Sequence, residues 1–197
     1  MKGLFLNLRK PELKDMPTLV SWFRDPEFTE NVFEIPENDC ESYVFSLLNQ
    51  NAKDTTRSLT LIAENPRREP IGLILYQNLD WKNRNIEMNN AIGNFKNRHA
   101  LYGADLYLLG LTYAFTVLNM HKVYGYTHDS NVSAKKLNQF AAKTCGVLSQ
   151  HIFRKGVYLD VVVFSILKRD FVSFLESQDA GVIRKFIRSG MFVELIP

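Results

Sequence analysis

Between Arg98 and Asp105 the chain reads Arg-His-Ala-Leu-Tyr-Gly-Ala-Asp, after one apolar strand pattern and at the head of a long apolar run. Such a junction can bind an anion. The first amides of a helix have no intrahelical partner, and together with the helix dipole they form a site suited to a pyrophosphate. Gly103 adds clearance, because a residue without Cβ lets the backbone approach a phosphate closely. Two other positions carry polar chemistry in an ordered setting. Glu87 alternates with Asn85 and Asn89 along a strand-like stretch, and Asn131-Val132-Ser133 opens a helix-like one with Asn131 as a good N-cap. Elsewhere the signals thin out. His99, His121, His128 and His151 with Cys40 and Cys145 show no metal-ligand spacing, so no metal is expected. No Ser or Cys stands with a His in a recognisable nucleophile setting.

The elements that must position these residues follow from composition and period. A chain of 197 residues, 46% hydrophobic and 23% charged, is long enough for one domain with a sizeable core. Its formal net charge of +3 is too small to argue for nucleic acid. Two cysteines make no disulfide scaffold, and Met1–Lys10 has too short an apolar run for a signal peptide, so a cytoplasmic setting is expected. Leu101 to Leu118 is the longest nearly apolar stretch, but it encloses Asp105 and lacks basic flanks on both sides. It reads as a buried helix and not as a membrane span.

Along the chain, Leu4–Leu8 reads as a first strand, Leu13–Phe23 as an amphipathic helix stopped at Asp25-Pro26, and Asp39 as the N-cap of a second helix through Leu48. Three strands follow, Ser58–Ala63, Ile71–Tyr76 and Ile86–Ile92, separated by turns at 64–70 and 81–85. The long helix, a strand at His121–Thr127, a helix from Asn131, and a hairpin of Val147–Phe153 with Val157–Leu167 complete the domain. This order predicts an α+β (mixed α/β) fold, one central sheet flanked by helices.

That order, with Arg98-His99-Ala100-Leu101-Tyr102-Gly103-Ala104-Asp105-Leu106 and its continuation through Tyr113-Ala114-Phe115 to Asn119-Met120-His121-Lys122-Val123-Tyr124, resembles the GNAT superfamily of acyl-CoA-dependent N-acyltransferases. It is most similar to the Rim-type branch, which includes ribosomal-protein acetyltransferases. The resemblance covers roughly Leu6 to Phe171, including the closing hairpin from Gly146-Val147 to Val157–Val162. It implies a mostly antiparallel, twisted sheet and transfer of an acetyl group from acetyl-CoA to a primary amine. The amine would be on a protein N-terminus, an amino sugar or a small metabolite, and would attack directly, with no covalent enzyme intermediate. CoA phosphates would sit at Arg98, Ala100, Leu101, Tyr102, Gly103 and Ala104, and Asn131 would contact the pantetheine arm, which runs between Ile86–Ile92 and Lys122–Thr127. Lys135 and Lys136 read as a solvated face that could reach the nucleotide end of a CoA.

Acyl transfer needs a neutral amine. A lysine-like amine costs about 4–5 kcal/mol to deprotonate at pH 7, and an α-amino group about 1–1.5. Glu87 stands where many family members place a base. The family's usual general acid, a tyrosine, is missing, because counts from Asn131 and from Gly146 reach Asn138 and Ala142. Ser133 is the remaining hydroxyl for the thiolate. The first family glycine is Leu101, which would cost about 1–2 kcal/mol if it had to turn left-handed. Two other readings follow from these departures: a GNAT-fold binding or assembly module without turnover, and an acyltransferase using a longer acyl-CoA or an acyl carrier protein. The aromatic cluster Trp22, Phe23, Phe28 and Phe33 lies in the region that covers the acceptor site in the family. Residues 1–170 are expected to form the acetyltransferase domain, and 171–197 an extension, a short helix and strand packed on the domain or on a partner, with a homodimer contact as one outcome.

Overall fold

The computed structural model describes residues 1–29, 39–53, 57–93 and 100–177. A seven-stranded sheet organises them: β1 (Asn7–Arg9), β2 (Leu59–Glu64), β3 (Pro70–Asp80), β4 (Asn85–Ile92), β5 (Lys122–His128), β6 (Lys143–Arg154) and β7 (Val157–Leu167), in the order β1-β2-β3-β4-β5-β7-β6. Every pairing is antiparallel except β4 with β5. Helices α1 (Met16–Arg24), α2 (Pro26–Thr29) and α3 (Cys40–Lys53) precede β2, α4 (Ala100–Thr116) lies between β4 and β5, α5 (Val132–Ala141) between β5 and β6, and α6 (Lys168–Glu176) after β7. The middle of the sheet, β2 to β4, is covered on both faces, while β6 is exposed along most of its length. Leu61, Ile74, Ile86, Met88 and Val123 pack with α4 and α6, while Ile62, Leu73 and Leu75 pack with α1 and α3. This is the mixed α/β, mostly antiparallel architecture expected from the sequence.

Helix α4 is apolar on nearly all sides because it is buried on nearly all sides; Leu106, Leu109, Leu111, Ala114 and Phe115 are all fully buried. Asp39 caps α3 as expected, accepting from Ser42 N at 3.0 Å. Trp22 and Phe28 (6.1 Å between ring centroids), Phe23 and Phe28 (5.2 Å), and Phe23 and Tyr43 (5.3 Å) form the centre of the second core, so this cluster is packing; Phe33 lies outside the described residues. No helix among the described residues is long and apolar enough to cross a membrane. Helix α6 straddles position 170, and its Phe171 and Leu175 are buried in the first core. The rest of the expected extension, from residue 178 on, lies outside the described residues.

The first strand departs from the sequence expectation. It is Asn7–Arg9 and not Leu4–Leu8, because the amides of Leu4, Phe5 and Leu6 donate to the carboxylate of Asp105, at 3.2, 2.7 and 2.8 Å. The acid inside α4 therefore satisfies an N-terminal segment that would otherwise need a strand partner. Burial pushes the Asp105 carboxyl's pKa up, and the three amides pull it down less strongly. The first helix also starts later than expected: Leu13–Asp15 is a 3-10 turn and the α-helix begins at Met16. Asp15 is held there by Arg9, whose Nη1 and Nη2 both donate to it at 2.7 Å. Replacing Asp105 with Ala leaves up to three amides without an acceptor, each worth about 1–3 kcal/mol when buried. With partial rehydration of the terminus, Asp105→Ala is expected to lower unfolding stability by about 2–4 kcal/mol, read by urea denaturation; a loss under 1 kcal/mol would show that these bonds are dispensable.

Candidate active site

Strands β4 and β5 pair only from Asn85–Glu87 with Lys122–Tyr124. Past that point each strand follows its other neighbour: β4 stays with β3 up to Ile92, and β5 stays with β7 up to His128. The inner edges therefore separate, and the backbone groups from Met88 and Gly125 onward have no ladder partner across the gap. Gly125 keeps the root of this gap narrow, since a Cβ there would meet Phe164 Cζ at 2.7 Å and the Met88 carbonyl at 3.0 Å.

Glu87 stands at that root. Ile86 and Met88 turn toward α4, so by strand alternation Glu87 points to the opposite face, the one carrying α1 and α3. A bulge in β3 fixes it. The β3–β4 register shifts between Gln77 and Asp80, with Asn78 at φ 51°, a left-handed conformation that Asn tolerates better than most residues. Asn78 Nδ2 donates to Glu87 Oε2 at 2.8 Å, and Asn89 Nδ2 donates to Oε1 at 3.0 Å and contacts Gln77 Oε1 at 3.3 Å. One amide on each oxygen leaves the carboxylate with lone pairs to accept a proton. Beside it are Tyr124 and Tyr126, rings 6.0 Å apart and edge to face. Burial raises both phenol pKa values, and the Glu87 charge raises them further, so both stay protonated at neutral pH. Two cavities adjoin this row. One of about 220 Å³ lies toward β2 and α3 and includes Gln77 and Asn78; one of about 310 Å³ lies toward β7 and includes Tyr124 and Tyr126.

The other expected residues gather on the α4 face. Ala100 is the first residue of α4, and Leu101 is helical and half exposed, with no positive φ. The cost of a left-handed leucine therefore does not arise. Tyr102 is half-buried and packs edge to face on Phe5, centroids 6.3 Å apart, and Ala104 is half-buried. Among the described residues, a Cβ at Gly103 would meet nothing nearer than Leu137 Cδ1 of α5, at 4.0 Å, an ordinary contact. The first turn of α4 thus lies beside α5. Asn131 caps α5 by accepting from Ala134 N at 3.0 Å through Oδ1. Ser133 is exposed in the first turn of α5, and Lys135 Nζ donates to the Asp129 carbonyl at 3.2 Å. Arg98 lies outside the described residues. Asn138 is inside α5 and Ala142 is its C-cap, 2.8 Å from the Asn138 carbonyl. Glu87 and the α4–α5 group are therefore on opposite faces, joined through the gap between β4 and β5.

Gln77, Asn78, Tyr124 and Tyr126 were not singled out in the sequence. The bulge that turns Asn78 toward Glu87 has no sequence mark beyond an Asn inside an apolar run; the two tyrosines could have been found from their alternation with Val123, Gly125 and Thr127. Among the described residues no group of three His, Cys, Asp or Glu could hold a metal ion.

A seven-stranded, mostly antiparallel sheet that divides after one short parallel ladder, with a long helix between the two parting strands, is the fold of an acyl-CoA-dependent N-acyltransferase. The Acetyltransferase (GNAT) domain family matches residues 6–139, more than half of the chain, and the chain belongs to that family. It is similar to an uncharacterized N-acetyltransferase, p20, of Bacillus licheniformis, at 26% identity over 170 residues, 84% of this chain and 94% of that protein. In fold it is similar to the spermidine N-acetyltransferase of Vibrio cholerae in complex with CoA and spermine, with TM-score 0.78 and 24% identity over 85% of this chain and 98% of that one. A spermidine/spermine N-acetyltransferase of the same organism in complex with manganese ions gives TM-score 0.70 and 23% identity over 86% and 96%.

The electrostatics around Glu87 can be read directly. Glu87→Gln removes the negative charge beside both rings, so the Tyr124 and Tyr126 pKa values should fall, yet stay above the ordinary phenol value because burial is unchanged. Titration of ¹³C-labelled tyrosines by NMR measures this, and identical values in the variant would uncouple the carboxylate from the rings.

Proposed function

We propose that the protein transfers an acetyl group from acetyl-CoA to a primary amine by direct attack in a ternary complex, with Glu87 as the base. The observation that carries this reading is the position of Glu87 at the point where β4 and β5 part. The gap offers unpaired backbone amides and carbonyls to an amide-bearing arm, and Gly103 with the first amides of α4 offers clearance and donors to phosphates. Ala100, Leu101, Tyr102 and Ala104 line that approach, Arg98 just before α4 would add a cation, and the Asn131 amide hydrogens, not used by the cap, would serve the pantetheine arm. The amine nitrogen bonds to the thioester carbonyl carbon, its proton goes to Glu87, and the carbon–sulfur bond breaks. Ser133 is the hydroxyl assigned to the departing thiolate, which needs little help at a pKa near 8.5. The Arg98–Asp105 stretch supports placement in the Rim-type branch. Leu101 and the missing tyrosine favour a non-catalytic module, but Leu101 sits in ordinary helical geometry without strain, and Arg98, Gly103, Ala104 and Asn131 oppose that reading.

Titration with CoA and acetyl-CoA tests the reading. At 100 times Kd the fold should gain about 2.7 kcal/mol, seen as a rise in melting temperature. Gly103→Leu should abolish that rise without unfolding the protein, since among the described residues its Cβ meets only an ordinary contact. Glu87→Gln should keep the rise but lower turnover by roughly 10²–10⁴. Retained turnover in Glu87→Gln would remove the base assignment, and retained CoA binding in Gly103→Leu would move the phosphates elsewhere.

A further inference from the structure

We infer that the acceptor amine carries an acidic group, a carboxylate or a phosphate, on its own skeleton, and that Arg57 receives it. This rests on the reading of Glu87 as the base. The smaller cavity runs from Arg57 to Asn78, the residue that holds Glu87. Asn78, which donates to Glu87, is in its wall, and so are Gln77, Ser58 and Arg57. Arg57 is exposed, and its guanidinium has no ion pair among the described residues. On the other side of Glu87 the larger cavity includes Lys122, whose Nζ lies 5.8 Å from the centre of the Tyr124 ring. Neither cavity has an Asp or Glu in its wall among the described residues. The one other carboxylate near Tyr124, Asp80, accepts from Asn83 N and Nδ2 at 2.8 and 2.7 Å. Among the described residues, a flexible polycation placed here would meet one available carboxylate, Glu87, and a cation on each side. An amine with an acid group meets a complement: its nitrogen at Glu87, hydrogen-bonding groups at Gln77 and Asn78, and its anion at a guanidinium, which binds carboxylate and phosphate through paired donors.

The test uses the full chain, saturating acetyl-CoA and release of free thiol. Four acceptors of similar length are compared: an aminoalkyl carboxylate, an aminoalkyl phosphate, a neutral amino alcohol, and spermidine. The acid-bearing amines should have the highest kcat/KM, and whichever of the two leads identifies the group. Arg57→Gln should raise KM for that acceptor about 10- to 100-fold, the size of one charge-assisted bond, with kcat little changed. A retained CoA-induced melting shift shows that the variant is folded. Preference for spermidine or the neutral alcohol, or an Arg57→Gln effect equal on all four acceptors, would overturn this inference and leave the acetyltransferase reading standing. No turnover of any amine together with no CoA-induced shift would overturn both.

Discussion

A sheet strand can serve only two neighbours, and the site depends on that limit. At Glu87 and Tyr124 the two parallel strands stop pairing because β3 and β7 hold them in different directions. Nothing else is required to open the gap. A continuous ladder would bury the backbone groups that now face one another without partners. The divergence also accounts for burial here: Met88 packs on α4, while Glu87, one residue earlier, stays half-buried on the other face. Gly125 sets how close the root can be, since any side chain would push β5 off β4 and Phe164. Positioning of the carboxylate and opening of the gap are consequences of one register.

The same economy appears at α4. Its body must be dry, since nearly every side of it is buried. A buried acid in such a helix is costly unless it is satisfied, and Asp105 is satisfied by the N-terminal segment. One side chain therefore ties the N-terminal turn, whose Met1 and Lys2 fold back on β1, to the helix whose first turn borders α5. Gly103, one turn before Tyr107, keeps the exposed side of that turn bare, with Leu137 its nearest neighbour. The N-terminus and the helix are mechanically one unit.

Most of the fold was legible because period decides it: alternation gave β2 to β5 within a few residues, and the apolar run gave α4. What failed to show was non-local. Leu4–Leu6 alternates like a strand, yet its amides go to a carboxylate about a hundred residues away, which no local pattern records. Within the site, Glu87 was legible from its alternation with two asparagines, and Asn131 from cap chemistry. Asn78 was not, because its role comes from a left-handed residue in a bulge that turns it onto the neighbouring strand. Leu101 left two outcomes open, strained if left-handed and unstrained if right-handed; it lies inside the helix, where leucine is a good residue.

The charges around Glu87 couple the carboxylate to the rings beside it. Two phenols next to a carboxylate are held protonated by burial and by that negative charge. A cation placed against Glu87 cancels part of the field that the phenols feel, and protonation of the carboxylate removes it. Either event makes the phenols better hydrogen-bond donors without moving a side chain. Glu87 and its tyrosines are thus one electrostatic set, in which removing charge from the carboxylate strengthens donors on the same face. A carboxylate alone in water would have no such coupling.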